Sequence, residues 1–137
     1  MMMTEWLISS INTFWEKTAD KRPGLTMTIN DICAGLDAEI IQNEFKNIDV
    51  KGVYTSDLLS DVIANGREAD VLVTVQAHRN TIAVATMMNI RCVIVCNSRP
   101  IPDGMLSAAR NEGIAILRTI KNQFNVSGNL YELLRKN

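Results

Sequence analysis

Between Gly52 and Leu134 short apolar runs alternate with longer stretches in which apolar residues recur every third or fourth position. The runs at 53–54, 69–75, 91–96 and 114–117 predict strands, the middle two being strongly β-branched. The stretches between them predict helices over 57–64, closed by Asn65-Gly66, over 80–88, and from Pro102-Asp103 to Gly113. A closing helix over 125–135 places Val126, Leu130, Leu133 and Leu134 on one face. Strands that are apolar throughout, rather than at alternate positions, are the kind buried on both sides. The order β-α-β-α-β-α-β-α therefore points to a three-layer α/β fold. Its mainly parallel sheet should hold about four or five strands, with helices on both faces.

Upstream, Thr28-Ile29-Asn30-Asp31 has the form of a capping box, with Asp31 in place of the more usual Glu. It should start a short helix that ends near Gly35, a natural residue to follow a helix. Residues 38–42 read as a strand. Residues 43–51 are polar, with Phe45, Ile48 and Val50 interspersed, and read as a loop or short strand. Earlier still, Thr4 can cap a helix carrying Leu7, Ile11, Phe14 and Trp15 on one stripe. Asp20-Lys21-Arg22-Pro23-Gly24 breaks it. We read residues 1–24 as an appended amphipathic helix and residues 25–137 as the domain. A stripe with two large aromatics needs a partner surface, either the domain itself or a second copy.

Composition narrows the class. A chain of 137 residues, 47% hydrophobic and 21% charged, is expected to form one soluble domain. Its formal net charge of −1 supplies no field to draw nucleic acid or an acidic membrane. Aromatics at 5% also argue against a base-stacking sheet. Three cysteines cannot all pair, which fits a reducing compartment. No apolar run reaches the ~20 residues of a membrane span. The amino terminus lacks a basic region ahead of a long apolar core. A cytoplasmic protein is the expectation.

Candidate chemistry gathers where strands give way to helices, because free backbone N–H groups and short polar side chains meet there. Thr55-Ser56-Asp57 follows the first of the regular strands; any of the three could cap a helix, and capping alone would account for them. Asp57 would oppose a phosphate at that turn. Gln76-Ala77-His78-Arg79-Asn80 follows the central strand and holds the sole histidine. Gln76 and Asn80 donate and accept, Arg79 can fork onto a carboxylate or phosphate, and His78 can titrate near neutrality. A lone histidine is neither a triad nor a metal site, so ligand orientation or loop packing outweighs acid–base catalysis. Cys92 and Cys96 stand four apart on one strand, roughly 13 Å in extended chain and too far to share a metal. Cys96-Asn97-Ser98-Arg99 forms a third polar strand exit. No Walker A loop, G-x-G-x-x-G, G-x-S-x-G or H-E-x-x-H occurs.

From Ile29 to Leu134 the chain resembles a DRTGG domain. The likeness lies in Gly52-Val53-Tyr54-Thr55-Ser56-Asp57-Leu58-Leu59-Ser60 and in Ala69-Asp70-Val71-Leu72-Val73-Thr74-Val75-Gln76-Ala77-His78. It continues through Asn80, Glu112-Gly113-Ile114 and Gly128-Asn129-Leu130-Tyr131-Glu132-Leu133. The name-giving signature is degenerate: Asp49-Val50-Lys51-Gly52-Val53 keeps only its Asp and first Gly. Domains of this type occur within phosphotransacetylases and nucleotide-regulated pyrophosphatases with CBS domains. Free-standing versions accompany iron-only hydrogenase genes. The resemblance thus implies a regulatory or accessory module, often self-associating, rather than a kinase or an iron–sulfur enzyme.

The sequence therefore leads to a non-catalytic, cytoplasmic, homodimeric module without cofactor or metal. It would bind a small ligand, such as a nucleotide or anion, or a protein partner, through Thr55, Ser56, Asp57, Gln76, His78, Arg79 and Asn80. Two other readings stand beside it. One is a structural adaptor working through the first helix. The other is a small enzyme using His78, with Asp57 as its nearest titratable partner.

Overall fold

The capping box forms as the sequence predicts. Thr28 Oγ1 accepts from Asp31 N at 3.2 Å, and Asp31 Oδ2 accepts from Thr28 N at 3.0 Å. It opens the fold of the computed structural model, which describes residues 27–136. The helix and interface expected of residues 1–24 lie outside the described residues. The strands are β1 (Met27–Thr28), β2 (Glu39–Gln42), β3 (Asp49–Val50), β4 (Val53–Thr55), β5 (Val71–Thr74), β6 (Cys92–Val95) and β7 (Ala115–Arg118). The helices are α1 (Ile29–Leu36), α2 (Leu59–Asn65), α3 (Arg79–Met87), α4 (Asp103–Glu112) and α5 (Gln123–Arg135).

The main sheet has five strands in the order β2-β7-β6-β5-β4. β4 through β7 are parallel, and β2 joins β7 antiparallel, with an irregularity between Ile40 and Gln42. β1 and β3 form a separate antiparallel pair. The chain moves one strand at a time from β4 to β7, so right-handed crossovers place α2, α3 and α4 on a single face. Side-chain packing agrees. Leu72, Val93, Val95 and Ile116 pack with Val62, Ile82, Ala85, Met105 and Ala109 from those helices. The alternate strand positions, Val71, Val73, Cys92, Ile94, Ala115 and Leu117, face Ile32, Leu36, Val126 and Leu130 of α1 and α5. Period-two alternation thus divides strands that are apolar on both faces between two cores.

Several helix starts differ from the expectation. α2 begins at Leu59 rather than 57, α3 at Arg79 rather than 80, and α5 at Gln123 rather than 125. Asp57, expected inside α2, instead bonds at the strand exit, whereas α3 and α5 start earlier because His78 and Asn122 cap them. At the other end, α4 stops where the sequence places Gly113, which takes φ 66°, a region that costs other residues steric strain.

Candidate functional site

The carboxyl ends of β4 to β7 form one rim. Pairing of β4 with β5 sets Thr55 beside Val73, and Ser56 N continues the ladder by donating to Val73 O at 3.1 Å. Asp57 then turns back across β5. Its Oδ1 accepts from Thr74 Oγ1 at 2.9 Å, from Val75 N at 2.8 Å and from Gln123 Nε2 at 2.8 Å. The carboxylate thereby joins β4, β5 and the start of α5. Thr55 Oγ1 meets Ser127 Oγ at 2.7 Å, a second tie to α5. Ser56 Oγ accepts from Leu58 N at 3.2 Å and so supports the turn into α2. All three residues expected at this exit are bonded within the fold.

At the β5 exit, Thr74 Oγ1 accepts from Gln76 N at 3.0 Å, and Gln76 O accepts from Thr81 Oγ1 at 2.9 Å. The turn is fixed, yet the Gln76 side chain is exposed and makes no bond within the described residues. His78 caps α3: its Nδ1 accepts from Asn80 N at 3.0 Å. A neutral imidazole in this geometry carries its proton on Nε2. His78 is not hydrogen-bonded to Asp57, the pairing that a His78-dependent acid–base reading calls for. Arg79 and Asn80, the first two residues of α3, line a groove of about 680 Å³ with Ala83, Gly104, Ser107 and Asn111. The structure therefore sorts the seven residues into three neighbouring groups rather than one cluster.

The β6 and β7 exits supply residues that the sequence reading left out of the site. Asn97 and Ser98 take consecutive φ values of 60° and 50°. Their amides donate to Lys121 O at 3.0 Å and Thr119 O at 2.9 Å, which fastens the two exits together. Arg99, exposed, and Lys121, half-buried, belong to this doubled turn. Neither they nor Arg79 have an ion-pair partner among the described residues, whereas Arg110, Arg118 and Arg135 pair with Glu44, Glu39 and Glu132. Asn97-Ser98-Arg99 was visible as a polar exit. Gln123 carried no local signal, because its bond to Asp57 crosses 66 positions, and Lys121 and Phe124 stand on either side of it in the chain.

The helices that follow the rim lie on two faces of the sheet. The connections after β4, β5 and β6 leave on one face, while the connection after β7 leads to α5 on the other. Helices therefore start on both sides of the strand ends, the condition that produces a crevice in open α/β sheets. Beneath it lies Cys96, whose thiol is pushed up to about 11 by burial and by the Asp57 charge. Cys33 and Cys92 are likewise raised by burial, and all three thiols are free and buried. Among the described residues no group of three or more His, Cys, Asp and Glu is placed to hold a metal ion. No described helix is long and apolar enough to cross a membrane. A second groove, about 500 Å³, runs between β4 and α5 and is lined by Val53, Thr55, Ser127, Leu130, Tyr131 and Leu134.

The fold has a counterpart among solved structures. A crystal structure of the CBS and DRTGG domains of the regulatory region of the Clostridium perfringens pyrophosphatase, complexed with its activator diadenosine tetraphosphate, superposes with a TM-score of 0.64. Sequence identity is 17%, and the match covers 79% of this chain and 47% of that one. The chain thus spans about half of that structure, and the likeness is one of fold. No protein-family profile and no curated protein match the sequence.

Proposed function

We propose that this chain is a regulatory or accessory module that binds a small anionic ligand of the nucleotide class at the rim. The observation that carries the reading is that the exposed Arg79 and Arg99 and the half-buried Lys121 have no ion-pair partner among the described residues, on the same rim as the unbonded Gln76 amide. They follow three neighbouring strand exits, those of β5, β6 and β7, which hydrogen bonds from backbone amides hold in place. Cations on a pinned backbone suit an anion, because binding then has to order only their side chains. The fold supports the nucleotide class, since the pyrophosphatase region that shares it was crystallised with a dinucleotide activator. Asp57, already accepting three hydrogen bonds, acts as a strut and not as a ligand contact.

The test is a thermal-shift series with diadenosine tetraphosphate, adenosine triphosphate and inorganic phosphate. A ligand at a hundred times its Kd stabilises the fold by about 2.7 kcal/mol, a shift of several degrees in Tm. Gln76→Ala and Arg99→Ala should remove the shift while leaving the unliganded Tm within a degree or so. If none of the three compounds moves the wild-type Tm, the reading fails. A homodimeric assembly and a place beside a hydrogenase in the cytoplasm belong to the same proposal and rest on the DRTGG resemblance. Sedimentation with and without residues 1–24 separates a dimer built on that segment from one built on the domain.

A further inference from the structure

We infer that the rim is divided into two subsites that orient a nucleoside polyphosphate, the phosphates on Arg99 and Lys121 and the base on Phe124 and Leu58. This rests on the anion-site reading above and adds the other half of the ligand. Leu58 and Phe124 each immediately follow a partner of the 2.8 Å Asp57–Gln123 hydrogen bond, which ties the two segments that carry them at the β4 end of the rim. Both face solvent, at 64% and 83% exposure. The buried face of α5 is Val126, Leu130 and Leu133, and Phe124 stands well off it. An aromatic ring on the polar side of a helix, at its first turn and 83% exposed, offers a flat apolar surface.

The cations occupy the other side. Lys121 is fastened to the β6 exit through the Asn97 amide, and Arg99 lies two residues beyond that bond. Neither has a partner among the described residues. From the β4 corner to the β6 exit is two strand spacings, roughly 10 Å, a span suited to a nucleoside and its first phosphates. Between them sits the exposed Gln76 amide, able to donate and accept toward a sugar or base edge. A purely inorganic anion would use only the cationic side and leave the corner bare. The apolar corner and the unpaired charges together favour a ligand with both parts.

The experiment is calorimetric titration of adenosine triphosphate, inorganic tripolyphosphate and adenosine into wild type, Phe124→Ala and Arg99→Ala/Lys121→Ala. We expect wild type to bind the nucleotide at least about five-fold tighter than tripolyphosphate, the low end of what stacking a base contributes. Phe124→Ala should erase that difference and leave tripolyphosphate unchanged, while the double charge variant should weaken both. Equal affinity of wild type for the two compounds overturns the inference but spares the anion site. Absence of binding by either overturns both. Sedimentation of the same samples covers the remaining outcome: if Phe124→Ala dissociates an assembly without altering nucleotide affinity, the corner is a contact between copies and the inference falls.

Discussion

Replacing Asp57 tests whether the rim is organised as described. In Asp57→Ala, Thr74 Oγ1, Val75 N and Gln123 Nε2 all lose their acceptor. Hydrogen bonds to a charged group contribute about 1.5–3 kcal/mol each, and a buried donor left without a partner costs about 1–3 kcal/mol. Gln123 is only half-buried and can turn to water, so its share is small. Thr74 is fully buried and the Val75 amide half-buried, and these two cannot be rehydrated without opening the β4–β5 exit. The expected loss is therefore about 3–5 kcal/mol, a large part of the ~5–15 kcal/mol typical of a domain. Asp57→Asn keeps an oxygen in place and gives up only the charge-assisted part, about 1–2 kcal/mol.

Urea unfolding followed by circular dichroism is the appropriate assay, because both tryptophans, Trp6 and Trp15, precede the described residues. The midpoint should fall in the order wild type, Asn, Ala, with the slope m unchanged. A loss below about 1 kcal/mol for the alanine variant would refute the strut assignment, since a half-buried carboxylate that accepts three hydrogen bonds, one of them from the fully buried Thr74, cannot be that cheap to remove. Equal losses for Asn and Ala would show that charge, rather than the three-way geometry, holds the junction.

Two glycines should respond in opposite senses. At Gly52 a Cβ would collide with the Glu68 carbonyl oxygen, so Gly52→Ala should lower stability by about 1–3 kcal/mol in the same urea assay. At Gly128, inside α5, a Cβ would meet nothing, and Gly128→Ala should raise stability by about 0.5–1 kcal/mol. The cysteines should be inert to a thiol reagent at pH 8 in the native protein and react in full once unfolded, because burial raises all three thiols. Rapid native labelling of Cys96 would contradict its placement under the rim. Tyr54 donates to Asp61 Oδ2 at 2.8 Å, and this bond raises its ionisation above the usual phenol value. The associated stability is present below the unfolded phenol pKa and lost as pH rises through the raised one. Asp61→Ala should shift one tyrosine's ultraviolet titration to lower pH, and an unchanged curve would exclude the bond.

The fold was readable because its strands are buried on both faces. Val71 to Thr74 and Cys92 to Val95 have no exposed position, so composition alone marks them, and the helices between them fill the crossovers. Glu39–Gln42 was readable as a strand but not as the antiparallel edge, since direction is decided by its pairing with β7. Met27–Thr28 is too short to show any period and exists through its pairing with Val50 and Asp49. The shifted helix starts have a common cause. Ser, Asp, His and Asn satisfy a helix end or a sheet exit equally well, and only tertiary contact decides between them. Asn122 and Asn125 illustrate this: both are plausible caps, and the structure uses Asn122 Oδ1 to accept from Asn125 N at 2.9 Å.

The same ambiguity governs the site. Thr55, Ser56, Asp57 and His78 look in the sequence like the residues a ligand would want, being short, polar and placed at strand exits. In the structure the backbone and α5 already occupy them, so substituting any one changes the frame before it changes recognition. His78→Ala removes a helix cap worth about 0.5–2 kcal/mol, and a lost ligand response in that variant would not distinguish contact from collapse of the turn. Gln76, Arg99 and Lys121 differ in kind, because no described residue hydrogen-bonds or ion-pairs with their side chains. Removing them should leave unfolding untouched, and any effect they have must be read at the ligand. A rim built this way keeps its scaffold and its recognition groups on separate side chains. Charge reversal at Arg99 or Lys121 can therefore abolish binding at constant stability, and a variant that loses both together would place that residue back among the struts.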